Sequence, residues 1–194
     1  RSTQGVSSAA SDVYKRQIET DSGISRKLPP IEESEEDVII KQKNIFTVLL
    51  NGKDQLLVED EVMELEELRD AAIKFLDNGG GSGEDKCDYC KGAGDPKSSD
   101  NPDKAIISLK NDRETSYKVY IAVQNELVAA YNDLRNREFE RLYPNLGINF
   151  VQAQKQYDDP RTSADTAEDL KPKLDQVKSM YPQKLSEAES NKLN

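Results

Sequence analysis

Cys87 and Cys90 are the only thiols in the chain, separated by Asp88 and Tyr89. A CxxC spacing admits three chemistries. It can close as a local disulfide or rest as a passive thiol pair, lend two soft ligands to a metal, or cycle electrons. Redox enzymes set this motif at a helix N-terminus, where the dipole stabilises a thiolate. Here Gly92 and Gly94 follow, so no helix is expected. A structural zinc wants four ligands, and only two soft ones exist. The disulfide or passive pair is the first expectation; metal contact and redox chemistry stay open behind it.

Other candidates are weaker. Gly79-Gly80-Gly81-Ser82-Gly83 has the look of a phosphate cradle, but such loops lead from a strand into a helix. This one follows a helical pattern and runs into acidic residues, so a flexible linker is expected. Asn111-Asp112-Arg113 falls where a strand pattern gives way to a helical one. Such junctions often hold binding residues. Equally, Asp112 can serve the turn and the helix N-terminus.

The chain has no histidine, which removes the usual acid–base group near neutral pH and excludes Ser–His and Cys–His nucleophile systems. Carboxylates are many, but spacing singles out no acid–base pair. No catalytic, cofactor-binding or metal-ligating residue is assigned, and no enzymatic activity is expected.

Charge narrows the partners. A net charge of −10 repels nucleic-acid phosphates, and no basic stripe with interleaved aromatics offsets it. Only 35% of the 194 residues are hydrophobic while 33% are charged. That predicts a modest core with roughly 100 residues carrying the fold, not a uniformly packed globule. No apolar run of about 18 residues occurs, so no bilayer-spanning helix is expected.

The elements that must position these residues follow from periodicity. Residues 1–17 carry no usable period and resemble a read-through sequence, so they are expected to be non-native or disordered. Residues 18–43 read as an extended linker, with Pro29 and Pro30 stiffening it and an acidic run at 32–37. Residues 44–50 and 55–58 read as a hairpin across Asn51-Gly52, with a short edge strand after it. A helix is predicted over 63–77 and a long loop over 78–103. A strand is predicted at 105–109 and a helix over 116–142, roughly 40 Å long, capped by Thr115 or Ser116. Its stripe is Tyr117, Tyr120, Ile121, Gln124, Leu127, Val128, Tyr131 and Leu134; its charged second half is expected to project beyond the sheet. Residues 145–180 read as an insertion with a short helix near 150–157 and another through Leu170, Leu174, Val177 and Tyr181, with Pro172 near its first turn. The fold class is α+β: a small mixed sheet with two main helices on one face, plus that helical C-terminal insertion.

Three stretches, SRKLPP (25–30), AIISLKNDRETSYKVYIAVQNELVAAYNDL (105–134) and YPQKLSEAE (181–189), resemble the periplasmic part of the ExbD/TolR family of biopolymer-transport proteins. The likeness is strongest to the long-insert versions of Bacteroidetes-type bacteria and spans residues 18–194. It departs at 78–103 and 147–178, where simpler members are shorter. The resemblance implies a closing strand at 183–187 and a tail at 190–194.

It also implies a periplasmic domain of a bacterial inner-membrane protein, forming homodimers and working with ExbB-like and TonB-like proteins. The proton-motive force would energise outer-membrane uptake. The membrane helix and its carboxylate would lie upstream of Ile18; a start at Arg1 rather than Met is expected of a fragment. In an oxidising periplasm a Cys87–Cys90 disulfide would staple the loop. Partner contact is expected at Ile24, Leu28 and Pro29, which can add as an extended strand to a sheet edge, and at Asn111 and Asp112. Two other classes stand beside this one. One is a TolR-like envelope scaffold or peptidoglycan-binding module; the other is a thiol–disulfide redox protein.

Overall fold

The computed structural model describes residues 41–189. The expected leader contacts Ile24, Leu28 and Pro29 lie outside them. At its near end the linker expectation needs correction: Gln42–Asn44 form a 3-10 turn, not extended chain, and Asn44 is buried.

β1 (Ile45–Leu50) alternates half-buried and buried residues, the mark of a strand with one covered face. It pairs antiparallel with β2 (Leu56–Val58), Val48 opposite Val58. The turn between them is built by the Asn51 side chain, whose Oδ1 accepts the Lys53 and Gln55 N–H groups at 2.9 Å each. Its left-handed residue is Asp54 (φ 62°) rather than Gly52. Glu59 and Asp60, at φ 49° and 70°, then fold β3 (Glu61–Val62) back on β2. Positive φ at both central residues matches the twist of a tight hairpin.

Helix α1 (Leu65–Leu76) and the loop after it form a crossover to β4 (Ile106–Asn111), which lies parallel to β1. A second crossover holds α2 (Tyr117–Leu142), α3 (Phe150–Asp158) and α4 (Ala164–Met180). It ends in β5 (Leu185–Glu189), parallel to β4. The sheet order is β3-β2-β1-β4-β5. The fold is α+β, with a mixed sheet, as the periodicity predicts.

One core joins Phe46, Val48, Leu50, Ile107 and Leu109 of the sheet to Leu68, Ala72 and Leu76 of α1 and to Val123, Leu127, Tyr131 and Leu134 of α2. Register places the sheet residues on one face, since Phe46 lies opposite Ile107 and Val48 opposite Leu109. Both main helices therefore cover that face. Each fully buried Leu or Ile there contributes about 1.5–3 kcal/mol. The predicted α2 stripe needs correction at its start. Tyr117 is 77% exposed, and packing on the core begins with Val119 and Tyr120.

A second cluster joins Phe139 of α2 to Phe150 and Ala153 of α3 and Leu170, Leu174 and Val177 of α4. So the charge-rich half of α2 does not simply project; it carries the insertion. Pro172 sits inside α4, not in its first turn. The Ser163 side chain caps the helix at Thr166 N–H, so the helix starts earlier than the apolar spacing alone predicts.

Candidate functional site

Cys87 and Cys90 are joined as a disulfide, Cα–Cα 5.6 Å. The Cys90 N–H also donates to Cys87 Sγ at 3.1 Å. Tyr89, inside the ring, donates its hydroxyl to the Met180 carbonyl at 2.7 Å and meets the Tyr181 ring edge-on at 5.5 Å. Burial pushes the Tyr89 hydroxyl up to about 12, so it remains a donor at any ordinary pH.

The loop around this ring is not slack chain. Asn78 is buried; its amide donates to the Asp95 and Ser99 carbonyls at 2.8 Å and its oxygen accepts the Asp95 N–H at 3.0 Å. Ser99 Oγ donates to the Phe75 carbonyl. Gly92 and Gly94 N–H groups donate to the Asp77 and Asn78 carbonyls, both at 2.9 Å. The flexible-linker reading of Gly79–Gly83 is therefore corrected. A Cβ on Gly80 would run into the Asp95 carbonyl; glycine is needed there for close approach, not for slack.

Asp100 ties the loop to the start of β1. Its carboxylate accepts from Asn44 Nδ2 at 3.1 Å and Lys41 Nζ at 3.3 Å, and pairs with Lys43 at 2.5 Å. Burial pushes this carboxyl up, but the bonds from Lys43, Asn44 and Lys41 outweigh it and hold it at about 2. Beside this contact, Lys43, Phe46, Lys74, Phe75 and Lys97 line a cleft of about 540 Å³.

A buried polar cluster lies where α1 ends. Asp77 takes Arg137 in a two-pronged pair, Nη1–Oδ2 2.6 Å and Nη2–Oδ1 2.9 Å. The Tyr181 hydroxyl donates to Asp77 Oδ1 at 2.6 Å. Glu138, fully buried, accepts from Arg137 Nε at 3.0 Å and Arg141 Nε at 2.6 Å. Arg135 donates from Nε and Nη2 to the Tyr181 carbonyl, at 3.0 and 2.7 Å, and lies over the Tyr131 and Phe150 rings. A carboxylate at a helix C-terminus opposes the macrodipole; Arg137 neutralises that charge. Hydrogen bonding to Asp77 pushes the Arg137 guanidinium up, and burial pushes the Tyr181 hydroxyl up.

Every carboxylate oxygen in this cluster is engaged, so the arrangement offers cohesion rather than a free base. It fastens the end of α1, the last turns of α2 and the lead-in to β5 together. Sequence reasoning missed it. One signal was present: the stripe Leu127, Tyr131, Leu134 continues in register to Glu138, placing a carboxylate at a core position.

The remaining site expectation meets its local alternative. Asn111 ends the β4 ladder opposite Leu50. Asp112 Oδ1 accepts the Glu114 N–H at 3.3 Å, and its carbonyl accepts the Thr115 N–H. Ser116, not Thr115, caps α2, accepting from Val119 N–H; Thr115 Oγ1 instead donates to the Leu50 and Asn51 carbonyls. Asn111 and Asp112 lie at the far end of the β1–β4 pairing from Ile106, whereas Cys87 and Cys90 sit beside the α4–β5 junction through Tyr89. They do not form one site. Among the described residues no helix is long and apolar enough to cross a membrane. The chain matches no protein-family model, and no curated protein matches it.

Proposed function

We propose that this chain is the periplasmic, partner-contacting domain of an ExbD-like subunit. It would work with ExbB-like and TonB-like proteins at a bacterial inner membrane, as a dimer, to couple the proton-motive force to outer-membrane uptake. The observation that supports this reading is the meeting of two stretches that resemble that family. Residues 105–134 become β4 and α2, and residues 181–189 end in β5, which pairs in parallel along β4. Tyr120 and Gln124 of α2 reach across to the Glu187 carboxylate at 2.9 and 2.7 Å. Segments far apart in sequence thus act as one packed unit. The outer edge of β5 is the surface an extended TonB-like peptide would use, since β5 is last in the sheet order among the described residues and a sheet edge offers main-chain donors and acceptors.

The test uses the full-length protein in its own host. A photo-crosslinking residue at Ser186 should capture a TonB-like protein, the protein should co-purify with an ExbB-like one, and deletion should abolish energised uptake. Normal uptake after deletion would overturn the proposal, and peptidoglycan capture with normal uptake would favour the scaffold class.

A further inference from the structure

We propose that the Cys87–Cys90 disulfide is a redox latch on the junction between α4 and β5. Tyr89 is trapped in the short ring that the bond closes. Its hydroxyl holds the Met180 carbonyl, the last residue of α4, and its ring packs on Tyr181. Tyr181 in turn bonds Asp77 and Arg137 and offers its carbonyl to Arg135. The ring is therefore one contact away from the cluster that fastens the insertion to the core. Its other side is equally constrained. Gly79, at φ +68°, approaches so closely that a Cβ there would stand 2.9 Å from Cys90 Cβ. The loop presses the disulfide between α1's end and the α4–β5 junction.

Opening the latch requires a dithiol reductant. Its thiolate attacks Cys90 Sγ, the S–S bond breaks, and Cys87 leaves as a thiolate. The Cys90 N–H already donates to Cys87 Sγ, so the departing charge has a hydrogen-bond donor in place. The second reductant thiol then displaces Cys90, leaving an oxidised reductant and two cysteine thiols after protonation. Without the ring, Tyr89 must pay its own ordering entropy to stay on Met180 and Tyr181. The latch thus makes the α4–β5 junction tighter in an oxidising compartment than in a reducing one. It stands independently of the uptake proposal.

Hydrogen exchange of the whole chain, with and without dithiothreitol, tests this. Reduction should speed exchange of the Tyr181 and Ile107 amides, which donate to Val177 and Lys184 carbonyls. The expected increase is on the order of tenfold, the scale of a short ring's constraint. Amides of β1, such as Val48, should not change. Tyr89→Phe should show part of the same increase while oxidised, and a smaller further response to reductant. Re-oxidation should restore the slow rates, so the result does not depend on whether Cys87→Ser folds. The proposal is overturned if reduction speeds exchange only within residues 87–92. It is also overturned if dithiothreitol leaves the bond intact in the folded chain.

Discussion

In the sheet layer, cohesion comes from apolar side chains whose neighbours are also apolar. Leu127 of α2 and Ile107 and Leu109 of β4 are fully buried in one apolar cluster. At the junction beyond it, cohesion comes from ionised groups: Asp77, Arg137, Glu138 and Arg141 bond one another around Tyr181. The first region tolerates no cavity; the second tolerates no missing partner. In a close-packed core the loss scales with the space left behind. In a buried polar cluster it scales with what is left uncompensated. The junction adds directional bonds at Tyr181 to the apolar cluster that seats the insertion on α2.

Breaking the sheet layer should have the largest effect. Leu127→Ala should cost about 3 kcal/mol, the middle of the range for buried leucines. Urea unfolding should show one transition at lower midpoint. A separate early transition for α3 and α4 would mean the junction is the weaker seam.

The junction comes next. Asp77→Ala leaves Arg137 with Glu138 and the Tyr181 hydroxyl as its remaining partners. Arg137 keeps 27% side-chain exposure, so water recovers part of the loss, and about 2 kcal/mol is expected. Hydrogen exchange should quicken in α4 more than in β1. If Asp77→Ala costs as much as Leu127→Ala and loosens both regions equally, the two are one cooperative unit.

Acid offers a graded version of the same contrast, because the apolar layer does not titrate. Asp100 is held at about 2 in the fold, below the ordinary carboxylate value near 4. Its contribution is therefore complete above about pH 4 and fades as pH falls toward 2. Partners Lys41 and Lys43 are partly solvated, so the loss should be about 1–2 kcal/mol. Asp100→Asn should flatten that part of the pH profile. An unchanged acid limb would show that other carboxylates govern it.

The same contrast explains what was legible in the sequence. Apolar runs and period-3.6 patterns exposed β1, β2, β4 and the two covering helices, since apolar faces must be contiguous to be buried; β5 has only a weak pattern of its own. The 78–103 loop was misread because Gly, Asp, Asn and Ser signal both slack linkers and tightly bonded turns. Asn78 and Ser99 are buried for the groups they bond, and those partners are far off in sequence. Arg135 and Glu138 belong to the charged second half of α2, which is expected to project beyond the sheet because charge usually means exposure. Only tertiary placement shows that the stripe runs on through them.

The smallest expected effect lies at Asp112, where a local turn and a partner contact make different demands. Among the described residues its side chain accepts one N–H, from Glu114 at 3.3 Å, while its carbonyl bond to Thr115 belongs to the main chain. Asp112→Ala keeps the second and loses the first. The lost bond is solvent-exposed and at the long end of the range, so about 0.5 kcal/mol is expected. Chemical denaturation should show little more than that, because the β4 ladder and the Ser116 cap of α2 remain. If Asp112 also meets a partner, the substitution should leave stability nearly intact yet weaken capture by the full-length protein. A change in stability alone, with capture unaltered, assigns Asp112 wholly to its turn.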